Sequence, residues 1–518
     1  MRFLLFLLFT TLLYPKDFSI ANYNVENLFD DIRQGSEYDD YIPNNQHNWN
    51  HEMFEAKLNH TAEVICDLDA DIIALEEIEN SYVLNRLKER LAKVGCAYPF
   101  SAITSKKGAP IQVALLSKFQ IKSKNKIIVN RSPRVRNILE VVVSIDGFPL
   151  RIFANHWKSR ANNGQESKRL SYAYALKDRI KHLKKGDEYI IIGDFNSDYD
   201  VHRTLEKRFN DTGGKTALGD VMATIKDDLL INEEMLRESN DFLHYNLWSE
   251  LQLKERWNHQ FQRERSTIDH ILIPKSMIDG SNIDYINDSF FVFKPSYLFD
   301  KYGSIYRSSY QDGKHYPYGY SDHLPIVAKF STHPYVYKQQ AQEILKESSI
   351  ESLYDIDKLE RSVKLKNVSV IYKRGFHALI KETPDSRGIF LFNCAGNLKE
   401  GKRYDMTIHD IKSYKGLKEA THVSAVLKGD VQGLERYYQR LDSCQFYKRQ
   451  NEIFKDIDGV YRSGKLVTKC GTFPIFFKNK IIPPENGDKI KLFYAHLGYH
   501  KKLELVVYDR SDFIYLEK

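Results

Sequence analysis

The chain contains 518 residues, and its 76 Lys and Arg residues against 69 Asp and Glu residues leave a net charge of +7. That length exceeds what one compact domain usually holds, so two or three domains are expected. No apolar run approaches the roughly 18 residues of a membrane-spanning helix, which excludes a polytopic membrane protein. With only five Cys residues, a disulfide-framework protein and a Cys-rich zinc scaffold are excluded as well.

The positive charge is concentrated in the last third of the chain. From Lys346 to the end there are 32 basic and 23 acidic residues, a balance of +9, so the rest of the chain has a balance of −2. A basic surface of this kind is either simply solvated or meets a polyanion such as a nucleic acid. The charge count alone favours neither interpretation.

The first residues have the pattern of an export signal. Arg2 is followed by the apolar residues 3–14, and a positive start before a short apolar run is typical of a secretory signal. We therefore predict a signal peptide over residues 1–16 and an exported protein, periplasmic or extracellular. The alternative is an uncleaved membrane anchor, because the region after the run lacks a small-residue cleavage site.

Export would place the five cysteines where thiols oxidise. Cys66 and Cys96 lie on successive predicted helices and could form a disulfide. Cys444 and Cys470 could form a second one, which would leave Cys394 unpaired. Spacing alone does not establish either pairing.

From Asp17 to about Phe330, predicted strands alternate with predicted helices. Short runs rich in Ile, Val, Leu and Phe are typical of buried strands in a layered α/β domain. The runs are FSIANYNV, DIIALEE, VALLS, LEVVVSI, FPLRIFANH, EYIIIGDF, STIDHILI and LPIVAKF. Helical spacing covers three segments, residues 54–68, 83–94 and 171–183. The dipeptide Asp146-Gly147 between two β-rich runs predicts a tight hairpin, and the irregular residues 200–318 predict long inserted loops.

The pattern changes after about residue 340. Residues 336–362 are predicted to form a helical linker, and short alternating strands follow in two sets, over residues 363–430 and 450–518. A segment led by Gly401 resembles one led by Gly487, which indicates two copies of a small all-β unit. The order of two short strands, a Gly-led strand, a turn and a closing strand resembles the oligonucleotide/oligosaccharide-binding (OB) barrel.

Six short stretches of the first region place polar side chains where an apolar strand ends. They are ANYNVENLF with Asn22 and Asn24, IIALEEIEN with Glu76 and Glu77, FANHWKSR with Asn155 and His156, IIIGDFNSD with Asp194 and Asn196, STIDHILI with Asp269, and GYSDHLPIV with Asp322 and His323. Active sites of α/β proteins collect at strand ends. Six such stretches of complementary types therefore indicate one site rather than six ordinary polar loops.

Together these side chains suit metal-assisted hydrolysis of a phosphoester. Carboxylate and Asn oxygens are the ligands of a hard cation such as Mg²⁺, with Mn²⁺ or Ca²⁺ as alternatives. A His beside an Asp suits activation of water by a general base, and a second His with Asn and basic residues suits phosphate oxygens. The motifs GxxxxGK[ST], GxGxxG and GxSxG are absent, so nucleotide-driven phosphoryl transfer and serine-esterase chemistry have no support.

The order NxN, EE, NH, GDxN, D and SDH resembles the endonuclease/exonuclease/phosphatase superfamily, which has the deoxyribonuclease-I-like fold. GDFN and SDHLPI are its most specific motifs here, and YNVENLFD and NHWKSR resemble the bacterial extracellular nucleases more than the phosphatases. The resemblance implies a catalytic domain over residues 17–335. Its expected fold is an α/β four-layered sandwich of two packed mixed β-sheets flanked by helices, followed by the β-rich, OB-like C-terminal region.

Carried over position by position, the resemblance assigns a role to each motif residue. Glu77 would be the main metal ligand with Asn24 beside it, and Asp322 would support the metal or its loop. His323 would be the general base that takes a proton from the attacking water. Asp269 would hold the ring of that histidine in the right tautomer.

The remaining motif residues would act on the phosphate. Asp194 and Asn196 would position the water and the phosphate, and His156 would bind a phosphate oxygen or assist the leaving oxygen. Substrate contacts are expected from three residues around the end of one strand: Asn155, Lys158 and Arg160.

Glu76 departs from the family pattern, in which Gln is common at this position. It would add a negative charge near the metal unless its side chain faces outward, which is the interpretation we favour. Arg131, Arg134 and Arg136 could line a DNA groove or form a solvated edge. Five tyrosines between residues 306 and 320 could stack on bases, although packing of the inserted loop is the favoured interpretation.

These features predict an exported, sequence-nonspecific DNA endonuclease with a basic C-terminal region that binds nucleic acid. RNA is a second candidate substrate, and we expect a monomer with no integral membrane span beyond the signal. The alternative is a sphingomyelinase or phospholipase C-type phosphodiesterase, or a phosphomonoesterase, of the same superfamily. A noncatalytic adhesion or binding module is disfavoured by the complete set of acid, base and metal groups.

Overall fold

The computed structural model describes residues 16–516 apart from 162–163, 227–228, 262–263, 334–346, 360–361, 397, 443 and 479–480. All of the predicted signal peptide except Lys16 therefore lies outside the described residues, as does much of the predicted linker. The chain divides into two compact units, Met1–Lys338 and Gln339–Lys518. No helix among the described residues combines the length and the apolar character that crossing a bilayer requires.

The first unit contains all eight predicted strands and all three predicted helices. Its strands are β1 (Asp17–Leu28), β2 (Ile72–Ile78), β3 (Phe100–Ile103), β4 (Gln112–Ser117), β5 (Ile121–Ile127), β6 (Ile138–Ile145), β7 (Phe148–His156), β8 (Tyr189–Asp194), β9 (Ile225–Lys226), β10 (Leu229–Leu230), β11 (Tyr245–Asn246), β12 (His259–Phe261), β13 (Glu264–Ser266), β14 (Asp269–Ile273), β15 (Asp284–Tyr285), β16 (Phe291–Val292), β17 (Tyr310–Gln311), β18 (Lys314–His315) and β19 (Ile326–Ser331). Its α-helices are α1 (His51–Leu68), α2 (Ser81–Lys93), α3 (Glu166–Lys181), α4 (Val201–Thr204) and α5 (Glu233–Glu238).

These elements form a four-layered α/β sandwich, which confirms the predicted fold class. One sheet has the strand order β15-β19-β1-β2-β4-β3, with β16 also paired to β19, and the other has the order β11-β14-β8-β7-β6-β5. Both sheets are mixed, because β1 and β2 are parallel, as are β7 and β8, while the remaining pairs are antiparallel. The inner faces share one apolar core that includes Ile20, Leu115, Ile152 and Ile190.

The helices form the two outer layers. Leu58 of α1 and Leu87 of α2 pack in one apolar cluster with Leu75 of β2. Leu176 of α3 packs with Ile191 of β8 on the outer face of the other sheet. Each helix thus buries one apolar face against a sheet, which is the arrangement that its 3.6-residue periodicity predicts.

Two kinds of local signal set the boundaries of these elements. The side-chain oxygens of Asn50 and Asn80 accept backbone N–H groups in the first turns of α1 and α2, so each Asn caps its helix. Asp146 and Gly147, with φ of 50° and 92°, join β6 to β7. A two-residue hairpin turn of this type requires positive φ at both central residues. The two angles therefore confirm the predicted hairpin.

The second unit contains two five-stranded barrels, which confirms the β-rich C-terminal region. The strands are β20 (Val363–Arg374), β21 (His377–Lys381), β22 (Gly388–Leu391), β23 (Lys402–Tyr414), β24 (Leu417–Asp430), β25 (Glu452–Arg462), β26 (Lys465–Thr468), β27 (Gly471–Phe477), β28 (Lys489–Tyr499), β29 (Leu503–Val507) and β30 (Phe513–Tyr515). The first barrel has the order β20-β21-β22-β24-β23. The second has the order β25-β26-β27-β29-β28, closed by pairing of β25 with β28 and extended by β30.

The predicted internal repeat is visible in these barrels. The third and fifth strands of each barrel are parallel, and the other pairs are antiparallel. Gly401 and Gly487 lie just before the fourth strand of their barrels with φ of +78° and +99°. Ile350 and Leu353, from the predicted linker, pack in the core of the first barrel, so the described end of that segment belongs to the barrel.

Two disulfides are formed, in the pairings that the sequence allowed. Cys66 of α1 is bonded to Cys96, which follows α2. Cys444 is bonded to Cys470 in the second unit. Cys394 is a free, partly buried cysteine.

Candidate active site

The polar residues that the sequence singled out meet at one end of the two sheets. They are Asn24 on β1, Glu77 on β2, His156 and Asp194 as the last residues of β7 and β8, Asp269 as the first residue of β14, and His323 ahead of β19. Because β7 and β8 are parallel, their ends meet, and antiparallel pairing sets Asp269 opposite Asp194. The Ser321 hydroxyl donates to the Asn24 carbonyl oxygen at 2.7 Å, which ties the loop of His323 to β1.

Glu77 and Asp194 converge on one point with His156 and Asn24. Nδ2 of Asn24 donates to Oδ2 of Asp194 at 3.1 Å and to Oε1 of Glu77 at 3.4 Å. Nε2 of His156 lies 3.5 Å from the same Asp194 oxygen and 3.7 Å from the same Glu77 oxygen. One oxygen of each acid therefore faces the same amide and the same imidazole.

Burial leaves the negative charge of these carboxylates uncompensated. Burial, followed by the charge of Asp322, raises the pKa of Glu77. Burial, followed by the charge of Asp269, raises the pKa of Asp194 to about 7. Burial also lowers the pKa of His156 well below its usual value, so this ring is neutral and offsets none of the charge. A divalent cation would supply the missing positive charge, and two convergent carboxylate oxygens suit Mg²⁺.

The turn after β8 orients the Asp194 carboxylate. Asn196 adopts φ of 50°, a left-handed conformation that Asn tolerates. Its backbone N–H donates to Oδ1 of Asp194 at 2.8 Å, and its side-chain amide donates to the Trp157 carbonyl at 3.2 Å. One oxygen of Asp194 is thus held by the turn while the other faces Glu77 and His156.

His323 is paired with a buried carboxylate. Nδ1 of His323 lies 2.7 Å from Oδ2 of Asp269. The Asn258 amide donates to the same Asp269 oxygen and, at 3.2 Å, to the Leu324 carbonyl. Burial alone would lower the pKa of His323, but the charge of Asp269 and its hydrogen bond raise that pKa well above its usual value. Since Asp269 occupies Nδ1, Nε2 is the nitrogen that can exchange a proton with water.

Asp322 lies among two histidines and an arginine. Its Oδ1 is 3.8 Å from Nε2 of His323, and its Oδ2 is 3.9 Å from Nε2 of His259 and 3.7 Å from Nη2 of Arg307. Nε of Arg307 also donates to the buried Glu26 at 2.9 Å. Asp322, which was predicted to support the metal or its loop, thus lies beside two imidazole nitrogens and one fixed guanidinium.

Glu76 does not face outward, so the favoured interpretation of this residue is wrong. Its side chain is fully buried, and Oε2 accepts a hydrogen bond from Nδ2 of Asn22 at 3.1 Å. Burial, followed by the charges of Asp269 and Asp194, raises the pKa of Glu76 well above its usual value. Burial thus favours the neutral form of Glu76, which is close in shape and charge to the Gln that the family commonly has there.

Asn24 presents its N–H group, and not its oxygen, to the two acids. Its Oδ1 accepts the backbone N–H of Glu26 at 3.0 Å, in a turn where Glu26 has φ of 53°. This arrangement differs from the predicted role of Asn24 as a metal ligand. The amide tethers Glu77 and Asp194 to each other, which leaves the two carboxylates as the candidate ligands of a cation.

Two of the three predicted substrate contacts are occupied within the fold. The fully buried Asn155 donates to two backbone carbonyls at 2.8 and 3.2 Å and accepts from the Trp157 indole at 3.0 Å. Its polar groups are thus used inside the sheet, which corrects its assignment to substrate binding. Arg160 donates to Asp198 at 2.9 Å, so it reaches substrate only if it leaves that partner.

Lys158, the third predicted contact, lines an open groove beside the cluster. Arg134, Arg136, Lys168 and Tyr38 also line it, and no described lining residue is acidic. Burial, followed by the charge of Arg136, lowers the pKa of Lys158. Arg136, which the sequence left undecided between a groove and a solvated edge, is fixed through hydrogen bonds to the carbonyls of residues 156 and 157. The groove is therefore an anion-attracting surface with one rigidly placed guanidinium.

Sequence reasoning missed four residues of this region: Glu26, Asn258, His259 and Arg307. Asn258 and His259 lie at the start of the three-residue strand β12, and Arg307 lies in an irregular segment before β17. Neither place has a periodicity that marks a side chain as buried. Glu26 lies within a quoted motif, but its left-handed turn is not visible in the letters. The polar pair Asn258-His259, ten residues before the strand that begins with Asp269, was the one available signal, and the structure shows that Asn258 donates a hydrogen bond to Asp269.

Comparison with known proteins follows this geometry. A family model described as the Endonuclease/Exonuclease/phosphatase family matches residues 19–332. No sequence among curated proteins matches the chain significantly.

Similar solved structures include TDP2 from Caenorhabditis elegans, with 13% identity over 61% of this chain and 74% of that chain and a TM-score of 0.36. Danio rerio (D. rerio) TDP2 complexed with single strand DNA product has 16% identity over 61% of this chain and 98% of that chain, with a TM-score of 0.38. The mannosyl-6-phosphatase of Bacteroides thetaiotaomicron has 15% identity over 60% of this chain and 99% of that chain, with a TM-score of 0.36.

Proposed function

Because the chain belongs to the endonuclease/exonuclease/phosphatase family of phosphoester hydrolases, we propose that it is a metal-dependent, sequence-nonspecific DNA endonuclease. One observation carries the proposal. The His323–Asp269 pair and the Glu77–Asp194 carboxylates lie at one end of the sheets, beside a groove whose described charged lining residues are all cations. Catalytic groups for a phosphoester and a surface for the neighbouring phosphates thus adjoin each other.

His323 acts as the general base. Asp269 holds its Nδ1, so Nε2 accepts a proton from the attacking water and the resulting imidazolium remains beside a carboxylate. The Asn258 amide fixes that carboxylate. His156, neutral and 3.5 Å from Asp194, is placed to donate a hydrogen bond to a phosphate oxygen or to the leaving oxygen.

Glu77 and Asp194 fit a divalent cation, because their oxygens converge and their raised pKa values reflect uncompensated charge. Members of this family are generally dependent on divalent metals. When bound, the cation would polarise the phosphate and stabilise the charge that develops during attack. We propose Mg²⁺ as the ion, because the ligands are hard oxygen donors.

The groove supports DNA as the substrate. Arg134, Arg136, Lys158 and Lys168 line it, and a group of cations on one open surface attracts the phosphates of a nucleic acid. Backbone contacts of this kind give affinity without base readout, which is why we propose nonspecific cleavage. RNA carries the same phosphates, so RNA cleavage is part of the proposal to be tested.

The C-terminal barrels are proposed to add affinity for the polyanion. The chain from Lys346 onward has a balance of +9, and each five-stranded barrel resembles the OB type that binds oligonucleotides. We also propose that the protein is exported and acts as a monomer. The Cys66–Cys96 and Cys444–Cys470 disulfides support export, because such bonds persist in oxidising compartments.

The test is conversion of supercoiled plasmid to nicked and linear forms by the purified protein in Mg²⁺, Mn²⁺, Ca²⁺ and EDTA. We expect metal-dependent nicking that His323→Ala abolishes and that His51→Ala, an exposed histidine, leaves intact. Parallel assays with single-stranded RNA, choline-lipid vesicles and a phosphomonoester define the substrate class. Hydrolysis of lipid or monoester without plasmid nicking would replace the nuclease with the corresponding branch of the family.

A further inference from the structure

We propose that His259, Asp322 and His323 form a second metal site that takes Zn²⁺, and that Zn²⁺ bound there stops hydrolysis. One candidate ligand atom from each of the three side chains lies within 4.8 Å of the others. His323 is the base in the proposed function, so the inhibitory part of this inference rests on that function. The site itself rests on geometry.

The backbone sets the two histidines opposite each other. The segment around His259 runs antiparallel to the segment around His323, and the two residues are direct partners in a β-bridge. Backbone hydrogen bonds of 2.6 and 3.3 Å flank the bridge. Directly opposed residues of an antiparallel pair project their side chains to the same face. The two imidazole rings accordingly lie 4.7 Å apart.

Each histidine uses Nδ1 within the fold and turns Nε2 toward one carboxylate. Nδ1 of His323 bonds to Asp269 at 2.7 Å, and Nδ1 of His259 bonds to the Ser266 hydroxyl at 2.8 Å. Nε2 of His323 is 3.8 Å from Oδ1 of Asp322, and Nε2 of His259 is 3.9 Å from Oδ2 of Asp322. Metal-binding histidines are usually held by a hydrogen bond on the other ring nitrogen, and both rings have one here.

The donor set differs from that of the carboxylate cluster. Two imidazole nitrogens and one carboxylate oxygen are typical zinc ligands, with a fourth position left for water. Glu77 and Asp194 offer oxygens alone, which suit Mg²⁺. Zinc bonds of about 2.0–2.2 Å place tetrahedral ligand atoms roughly 3.3 Å apart, so three atoms that lie within 4.8 Å of one another must close by at most about 1.5 Å. The two ions would therefore divide between the sites by donor chemistry.

Arg307 is the cation beside this cluster. Its Nη2 lies 3.7 Å from Oδ2 of Asp322, but its closer contacts are with Glu26, whose Oε1 accepts from Nε at 2.9 Å. Because Glu26 holds the guanidinium, Asp322 keeps both oxygens directed toward the histidines. The fixed positive charge weakens the affinity of the site for a dication without occupying a ligand position.

Zinc in this site would block the reaction at the base. A bond from Nε2 of His323 to Zn²⁺ uses the lone pair that accepts the proton from water. The Glu77–Asp194 pair would still bind Mg²⁺, so excess Mg²⁺ would not relieve the block. Free Zn²⁺ would thereby act as an inhibitor that competes with a proton for His323.

The experiment uses the full-length protein, with Zn²⁺ titrated calorimetrically in excess Mg²⁺ and Co²⁺ followed by its visible absorption. The variant is His259→Gln, with His259→Asn as a second substitution should the first fail to fold. The matched control is His51→Gln, which removes an imidazole 2.8 Å from the Asp31 carboxylate on the surface. Plasmid nicking in Mg²⁺ is measured for each protein across a range of Zn²⁺ concentrations.

We expect His259→Gln to weaken Zn²⁺ binding about tenfold or more and to remove the Co²⁺ absorption of a low-coordinate site. The Zn²⁺ concentration that halves nicking, measured against the rate of each protein in Mg²⁺ alone, should rise by the same factor, and His51→Gln should behave as the native protein. Binding that is unaffected by His259→Gln, or lost equally in His51→Gln, would overturn the site. If Zn²⁺ binds through His259 but nicking is not inhibited, the proposed inhibition by zinc is wrong. Absence of any hydrolysis in Mg²⁺ would instead refute the nuclease, while calorimetry would still decide the zinc site.

Discussion

Asp269 accepts a 2.7 Å hydrogen bond from Nδ1 of His323 deep in the first unit. The carboxylate fixes the tautomer with a free Nε2 and stabilises the imidazolium after proton transfer. Asp269→Asn should therefore reduce plasmid nicking about 10³–10⁴-fold, as loss of the orienting acid does in comparable pairs. Initial rates of nicking measure the loss, and a gel-shift assay should show that DNA binding is retained.

The same substitution should also move the pH profile. The charge of Asp269 raises the pKa of His323, and the base works only when neutral, so activity falls as pH drops through that pKa. Removing the charge lowers the pKa, and the residual activity of Asp269→Asn should extend to lower pH than that of the native protein. If activity falls at the same acidic pH in Asp269→Asn as in the native protein, Asp269 is not the cause of the raised pKa of His323.

Glu76→Gln tests the buried neutral acid. Burial raises the pKa of Glu76, so the folded protein holds a proton that the unfolded chain releases near its ordinary pKa of about 4.3. Its contribution to stability is therefore present at low pH and is lost as pH rises toward the folded pKa. Glu76→Gln should raise the free energy of unfolding at about pH 8 by about 1–3 kcal/mol, because Gln is neutral without holding a proton, whereas each pH unit above the ordinary pKa costs a buried neutral Glu up to about 1.4 kcal/mol.

Urea denaturation at about pH 5 and about pH 8 measures this effect, and the gain should be smaller at the lower pH. Asn22 can donate its 3.1 Å hydrogen bond to the oxygen of Gln as it does to Glu76. Nicking activity should survive the change. If Glu76→Gln changes the free energy of unfolding by the same amount at both pH values, Glu76 is ionised in the folded state.

Arg134→Gln combined with Lys158→Gln tests the groove. Both side chains line this groove, which has no acidic residue among its described lining residues. Each phosphate contact that is lost should reduce the slope of log affinity against log salt by about 1. Binding should weaken similarly for unrelated DNA sequences, because no base is read. Lys93→Gln, on the last turn of α2, is the charge-matched control. A salt slope equal to that of the native protein would place the DNA elsewhere.

The strands and the main site residues could be predicted because each motif directly adjoins an apolar run. His156 and Asp194 end two parallel strands, so the sequence alone places them side by side. The orientation of Glu76 could not be predicted by strand alternation. Strand β2 lies between a helical layer and the second sheet, so nearly all its residues are buried. Since neither face of the strand is exposed to solvent, the residue pattern does not show which way a side chain points.

Arg307 and His259 illustrate the other limit. Arg307 lies in a long irregular segment and His259 begins the three-residue strand β12. The paths of both segments depend on tertiary hydrogen bonds, such as the one that the Ser308 backbone N–H donates to Glu26 at 3.1 Å. No local period or turn signal encodes such a path. The barrels were recognisable because apolar and polar residues alternate along their strands, and because Gly401 and Gly487 each precede the fourth strand of a barrel.

The buried pair Lys381–Glu452 joins the two barrels of the second unit and allows a test of their packing. Nζ of Lys381 on β21 lies 2.9 Å from Oε2 of Glu452 on β25, and both side chains are fully buried. The Pro384 carbonyl and the Arg449 guanidinium complete the hydrogen bonding, each at 2.7 Å. Every charge in the pair thus has partners, and removal of one partner would leave a buried charge short of compensation.

Lys381→Met should lower the free energy of unfolding by about 3–5 kcal/mol, because Glu452 would remain buried without its main counter-ion. The double variant Lys381→Met/Glu452→Leu should recover much of that loss, since it removes both charges and keeps apolar volume in the interface. Lys402→Met, whose partner Asp430 is exposed, is the surface control and should cost less than about 1 kcal/mol. Denaturant unfolding followed by tyrosine fluorescence measures all three. A double variant as unstable as the single one would mean that packing around the pair, and not its charge, holds the barrels together.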